Sequence, residues 1–340
     1  MATDPRFDVY GIGNALVDVQ VRVEEDFITR LGLKKGHMEL VAAARQAQVL
    51  AALTDHPVNR CSGGSAANTV VGVAELGGRA AYCGKVGDDE PGRFYRDDLD
   101  AVGVRFGSAP AADPTGTALV LITPDAQRTM LTCLGASSLL DAHDVQAASL
   151  EGCAYLYVEG YLLPGESTRR AALAAIQAAK QRDVRVALTV SDPFVVAQSG
   201  KLLWELIEGP VDLLFCNELE ASALVGTGDM VECAHALHRR ATNVALTLGA
   251  KGSVLMHEGT LHPVEGVRVK AVDTTGAGDM YAAGILYGLT HGLSWSEAGR
   301  LASHAAARVV SVLGARLPAK LSRADVDAMS RPSEDPRASL

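Results

Sequence analysis

The chain holds 340 residues, 48% hydrophobic but only 5% aromatic, with 34 glycines and a formal net charge of −9. That length buries one large core or two ordinary ones, and the acidic balance gives no electrostatic footprint for nucleic acid or an anionic membrane. With no charge run or low-complexity stretch to argue for disorder, an α/β enzyme is the first expectation.

Short β-rich runs alternate with longer Ala/Leu-rich ones, the rhythm of βαβ units around a mostly parallel sheet. Strands are predicted over 7–12, 80–86, 154–159, 184–190, 211–216 and 244–248, with helices such as 166–182 and 230–240 between them. Such sheets place ligands at the strands' carboxyl ends. Two stretches break the rhythm, 15–41 and 104–133; in the second, 117–123 and 128–133 read as strands joined by a turn at Thr123-Pro124-Asp125-Ala126. If the two stretches pair, they form a small projecting sheet, a lid that excludes water; ordinary edge strands fit the pattern equally well. After Leu317 the chain, with Pro318, Pro332 and Pro336 among charged and small residues, reads as a surface-bound or frayed tail.

Apolar stretches are broken by charges well before bilayer length, and Met1 to Asp8 carries charges where a secretory leader is apolar. A cytoplasmic protein without membrane contact is expected. The cysteines Cys61, Cys83, Cys133, Cys153, Cys216 and Cys233 form no C-x-x-C pair and read as reduced, mostly buried thiols.

The segment Gly11-Ile12-Gly13-Asn14-Ala15-Leu16 opens like a dinucleotide fold, but Leu16 stands where the third glycine of G-x-G-x-x-G belongs, and that reading fails. The most informative string is Asp273-Thr274-Thr275-Gly276-Ala277-Gly278-Asp279, followed at once by the apolar helical run 280–289. A Gly-Ala-Gly turn entering a helix exposes unpaired N–H groups at the positive end of the dipole, an anion site. Asp279 at its edge is suited to take a proton from a hydroxyl attacking a phosphate held there; a plain helix cap is the competing reading.

The string resembles the D-T-x-G-A-G-D signature of the ribokinase-like, or PfkB, family of sugar and nucleoside kinases. Further matches follow in family order: Gly63-Gly64-Ser65-Ala66-Ala67-Asn68 with G-G-x-x-x-N, residues 84–92 with a G-x-V-G-x-D-x-x-G scaffold turn, Asn217-Glu218-Leu219-Glu220 with N-x-x-E, and Thr247-Leu248-Gly249-Ala250-Lys251-Gly252 with a T-x-G-x-x-G nucleotide loop. They span about residues 7–314, and no Walker A or protein-kinase set is present. The resemblance implies a three-layer αβα sandwich with a largely parallel sheet and a β lid, in one kinase domain over 1–330 with lid segments 15–41 and 104–133 and a tail over 331–340. It also implies a monomer or homodimer.

Further implications concern residues. Asp279 is the implied general base, with Gly276, Ala277 and Gly278 forming the anion hole. Asn14, Asp18, Gly63, Gly64, Asn68, Arg128 and Glu159 are implied around the acceptor, with Asn14 and Asp18 on vicinal hydroxyls and Arg128 near the transferred phosphate. Asn217, Thr247, Gly249 and Gly252 are implied for ATP, and Glu220 for Mg²⁺ through water. Asp273, Thr275 and Gly314 are implied around K⁺ or Na⁺. Residues 13–18 and 157–163 look more like adenosine kinases than fructokinases, whereas Gly64 to Asn68, Lys85 to Gly87 and Asp192-Pro193 suit fructokinase or ribokinase equally. A non-catalytic sugar- or nucleoside-binding regulator is the reading from another class.

Overall fold

Runs such as Tyr155–Glu159 and Ala80–Cys83, buried at every position, fit only strands covered on both faces. A computed structural model describes residues 7–54, 56–125, 127–317 and 319–332. In chain order its strands are β1 Val9–Ile12, β2 Leu16–Arg22, β3 Met38–Leu40, β4 Val58–Gly63, β5 Ala80–Cys83, β6 Val104–Phe106, β7 Gly116–Ile122, β8 Arg128–Cys133, β9 Tyr155–Glu159, β10 Arg185–Thr189, β11 Leu213–Asn217, β12 Asn243–Thr247, β13 Gly252–His257 and β14 Thr260–Glu265.

The large sheet runs β14-β13-β12-β11-β10-β9-β1-β5-β6. It is parallel from β6 to β12; β13 and β14 add an antiparallel hairpin at one edge. The helices Ser65–Glu75, Glu90–Ala101, Ala277–Thr290 and Trp295–Val310 share one hydrophobic cluster with one face of the sheet. Glu166–Lys180, Pro193–Glu208, Glu218–Val225 and Met230–Arg240 cover the other. This is the expected αβα sandwich.

The second sheet runs β3-β8-β7-β2-β4, so the two irregular stretches do pair. Its outer face, with Val19, Val21, Leu119, Leu121 and Leu131, packs on Phe27 and Ile28 of helix Glu25–Arg30, on Val49 of helix Ala43–Ala51 and on Leu53 just beyond it. By strand alternation Leu16, Asp18 and Gln20 share the inner face with Ala118, Val120 and Ile122. Two boundaries differ from expectation. The first excursion does not stop at residue 41 but runs on to Gly63, because β2 needs β4 as its outer neighbour. Residues 104–106 belong instead to the edge of the large sheet, beside β5.

After Leu317, where a surface-bound or frayed tail is expected, the chain through Ser330 is bound to the body. Arg323–Ser330 is a helix started by a Ser322–Asp325 capping box, and Val326 and Met329 bury against the main body. Of the expected tail 331–340, residues 333–340 lie outside the described residues, as do Ala126 of the predicted turn and Pro318. All six cysteines are free, four of them buried. The 84–92 turn is scaffold in this structure: Asp89 caps Glu90–Ala101 and also binds Thr115, while Lys85 pairs with buried Asp144 at 2.5 Å.

Candidate active site

β1 has β5 on one side and β9 on the other, so the chain direction out of the sheet reverses between β1 and β9 and opens a crevice at their carboxyl ends. Asn14 and Glu159 meet there, but neither presents a free group. Glu159 Oε1 accepts from the Asn14 backbone N–H (2.8 Å) and from Asn14 Nδ2 (2.6 Å), and Oε2 accepts from the Ala66 N–H (2.9 Å). Ser137 Oγ donates to Asn14 Oδ1 at 2.7 Å. The expectation that Glu159 faces the crevice is therefore corrected: it is fully buried and ties β1 to β9 and to the start of Ser65–Glu75. Asn14 is likewise occupied by Glu159 and Ser137. Burial pushes the Glu159 carboxyl up to about 7, against the pull of its three donors.

Asp279 stands in the first turn of Ala277–Thr290, entered through Gly276 at φ +74°. A side chain at Gly276 would collide with Ala315 as well as suffer the left-handed backbone. The first intrahelical bond is Met280 N–H to Gly276 O, which leaves the Gly278 and Asp279 N–H groups without a carbonyl partner among the described residues. Ala277 is partly buried, and Gly278 is exposed with open space where a Cβ would be. Asp279 Oδ1 accepts from Ser65 Oγ (2.7 Å) and Oδ2 from Asn68 Nδ2 (3.0 Å). Burial raises its affinity for a proton, with those two donors and Arg128 opposing. Asn68 Oδ1 is buried with no partner among the described residues. Gly64, at φ +98°, lets helix Ser65–Glu75 begin hard against the Asn14 carbonyl.

Asp18 lies on the inner face of β2, only 3% exposed, and no described residue hydrogen-bonds its carboxylate. Gly63 on β4 is what makes room for it, since a Cβ there would overlap the carboxylate. Burial pushes Asp18 up to about 7; Arg316 and Arg128 oppose, while Asp279 and Asp273 add to the rise. Arg128, at the start of β8, donates from Nη1 to Thr274 O at 3.3 Å and so connects the small sheet to the loop before the anion turn.

At the far side of the crevice Asn217 and Glu220 form a capping box on Glu218–Val225. Asn217 Nδ2 donates to Glu220 Oε1 at 2.6 Å, and the Glu220 N–H donates to Asn217 Oδ1 at 2.9 Å. Glu220 is 5% exposed; burial, then Asp192 and Asp279, push its carboxyl up to about 7. Thr247 ends β12, Gly249 (φ +57°) is exposed with open space around it, and Gly252 (φ +102°) starts β13. Asp273 gathers the other expected ion residues: Oδ1 accepts from the Thr275 N–H and hydroxyl (2.9 and 2.6 Å), and Oδ2 from the Gly314 N–H (2.9 Å). No group of three or more His, Cys, Asp or Glu converges as a metal cage among the described residues. A cleft of about 460 Å³ opens beside Val267, Val269, His304 and Ala307.

The family model described as pfkB family carbohydrate kinase matches residues 33–321. The chain belongs to the PfkB family. Fructokinase from Klebsiella pneumoniae is 31% identical over 242 residues, covering 69% of this chain and 79% of that protein. The crystal structure of adenosine kinase from Sinorhizobium meliloti superposes with a TM-score of 0.90 at 38% identity, over 95% of this chain and 100% of that one. A probable sugar kinase from Rhizobium etli CFN 42 gives 0.92 at 35%, over 96% and 99%. This PfkB protein is thus an ATP-dependent sugar or nucleoside kinase, and no helix among the described residues is long and apolar enough to cross a membrane.

Two residues of the PfkB site escape a reading of motifs. Ser65 was a variable position within G-G-x-x-x-N, yet its hydroxyl holds Asp279; its place as first residue of a helix entered through two glycines was the available signal. Arg316 lies past the last motif. It pairs with Asp98 at 2.7 Å and bonds Ser62 O at 2.5 Å, and nothing local marks it.

Proposed function

We propose that this kinase transfers the terminal phosphoryl group of ATP to the primary hydroxyl of a ribonucleoside of the adenosine type. The observation that carries the nucleoside reading is the inner face of the small sheet. Beside Asp18 its apolar residues Leu16, Ala118, Val120 and Ile122 are buried, and the apolar surface left open on this face is that of the partly exposed Met130 and Leu134. Leu40, opposite Thr132 on the same face, is 48% exposed. A flat heterocyclic base covers such apolar surface favourably, whereas a free ketose would set hydroxyls against it.

Asp18 is read as the ligand of the vicinal ribose hydroxyls, its carboxylate being free of protein donors. The unpartnered Asn68 Oδ1 is suited to accept a further hydroxyl, and Gly63 and Gly64 let the backbone approach the sugar. Asp279, aimed by Ser65 and Asn68, accepts the proton of the attacking primary hydroxyl, and its raised proton affinity suits that task. The Gly278 and Asp279 N–H groups at the helix start face the developing charge, and Arg128 adds a positive charge from the small sheet, which acts as a lid. ATP supplies the phosphoryl group and Mg²⁺ draws off its charge. Thr247, Gly249 and Gly252 fit a nucleotide loop because backbone turns there without side-chain obstruction. Asn217 and Glu220 fit a hydrated ion, since with no cage of side chains such an ion is completed by water and phosphate oxygens. Asp273, Thr275 and Gly314 are read as the surroundings of a monovalent cation behind the anion turn.

The test is ADP release across adenosine, other ribonucleosides, fructose and ribose at saturating Mg-ATP. Adenosine should exceed both sugars in kcat/KM by at least about a hundredfold; a chain that prefers fructose or ribose is a sugar kinase, as its similarity to fructokinase would have it.

A further inference from the structure

The segment after Gly314 does something the motifs do not describe. In four consecutive residues it touches four separate parts of the molecule. The Gly314 N–H donates to Asp273, and Ala315 fills the space a side chain at Gly276 would need. Arg316 reaches Ser62 and Asp98, and the Leu317 N–H donates to Glu75. Of the four, Arg316 extends under the small sheet. Its Nη1 pairs with Asp98 Oδ2 at 2.7 Å, and its Nη2 donates to Ser62 O at 2.5 Å and contacts Ser62 Oγ.

We propose that Arg316 is a positioning residue for the acceptor: bonded to Ser62 next to the Cys61–Asp18 strand pair, it supplies the positive charge that keeps Asp18 ready to receive hydroxyls. The inference rests on the reading of Asp18 as the hydroxyl ligand. Ser62 is paired with Val17 and Cys61 with Asp18 across β2 and β4, so a grip on Ser62 sets the height of Gly63 and Cys61 against the carboxylate. Asp98 alone would hold Ser62, because it already accepts from the Ser62 N–H (2.9 Å) and hydroxyl (2.7 Å). The strand is therefore anchored without Arg316, and what Arg316 adds is charge. Its side chain is 15% exposed, and its buried Nε–H has no hydrogen-bond partner.

The other groups around Asp18 do not replace that charge. Asp279 and Asp273 from the anion turn are negative, Cys61 and Tyr95 are neutral neighbours from β4 and Glu90–Ala101, and Asp98 is already paired with Arg316. Arg128 is positive but sits on β8, bonded to Thr274 O by a single contact. Arg316 is held by two residues at once, Ser62 and Asp98.

The experiment follows Asp18 directly, by ¹³C-carboxyl NMR of the full ligand-free chain with the signal assigned from Asp18→Asn, alongside the pH dependence of adenosine KM. Replacing Arg316 by Gln should move the Asp18 titration up by about one pH unit, since the charge that favours the carboxylate is lost. KM should then rise roughly fivefold near pH 7 and recover toward pH 9, with kcat little changed. Arg316→Lys, keeping the charge, should restore most of the titration. Asp98→Asn, which removes the negative partner, should move it down, and this variant decides the matter if Arg316→Gln does not fold. An unmoved Asp18 titration in Arg316→Gln, or a KM raised equally at every pH, overturns the proposal and leaves Arg316 a structural ion pair. Failure of the underlying reading looks different: Asp18→Asn would then bind adenosine as the wild type does.

Discussion

Two buried carboxylates, Glu159 at the β1–β9 junction and Asp18 on the floor of the small sheet, are both pushed up to about 7 by burial, yet they are built for opposite purposes. Glu159 receives three donors from two other parts of the chain; among the described residues Asp18 receives none. A raised carboxyl is therefore no guide to function by itself. The hydrogen-bond complement separates the two, because a saturated carboxylate holds the fold and an unsaturated one has capacity left for a ligand. Asp279 stands between them, with one donor on each oxygen, which orients it and leaves lone pairs for a proton.

The strongest way to test this ranking is Asp279→Asn. Loss of the base should lower kcat by about 10²–10⁴-fold with KM for both substrates nearly unchanged; a variant with near-wild-type kcat reduces Asp279 to a helix cap. Asp18→Ala comes next. Losing a charged hydrogen-bond partner costs about 1.5–3 kcal/mol, so KM for a ribose-bearing acceptor should rise roughly ten- to hundredfold, while stability in urea is unchanged or higher. Deoxy analogues lacking a vicinal hydroxyl should already bind the wild type poorly.

Glu159→Gln should reverse that pattern. The amide sets an NH₂ against the Asn14 or Ala66 donors and should cost about 1–3 kcal/mol of unfolding free energy, with a smaller change in KM. If Asp18→Ala instead destabilises the fold more than Glu159→Gln, the distinction drawn between them fails.

A pH series sharpens what the two share. Each holds its proton in the folded state up to about 7, whereas the unfolded chain releases it near 3.8–4.5. Over that window the native state binds more protons, so stability should fall as pH rises from about 4 to 7 and level off above. Asp18→Asn should make the fall shallower; an unchanged slope of Tm against pH would mean Asp18 titrates as an ordinary carboxyl. The smallest effect is expected from Glu220→Gln, which can keep the bond to the Asn217 N–H but sets an NH₂ against Asn217 Nδ2 and removes a charge. The Mg²⁺ needed for half-maximal rate should rise several-fold, and an identical Mg²⁺ titration would leave Glu220 as a cap alone.

Much of the fold was legible from pattern. The buried strands β9 to β12 and the helices beginning at Glu166 and Met230 declare themselves by continuous apolar runs and helical spacing. The β13–β14 hairpin, the extension of the small sheet to Gly63 and the last helix did not. Val58 to Ser62 reads as a polar stretch, because an edge strand exposes one side to water, and Arg323–Ser330 hides three buried residues among charges. At the site, motifs named Asn14 and Glu159 but not the bonds between them, which join segments 145 positions apart.

What the sequence by itself determined was the family and its anion turn. Asp273 to Asp279 is one continuous segment, and helix-start geometry depends on neighbours a few residues away. The tertiary structure decided the use of each carboxylate. Ser65 reaches Asp279 across 214 positions, Asn14 reaches Glu159 across 145, and Arg316 reaches Asp98 across 218. Proton affinity and free valence depend on which dipoles and charges surround a group in space, and those neighbours come from segments whose spacing in the chain carries no trace of the meeting.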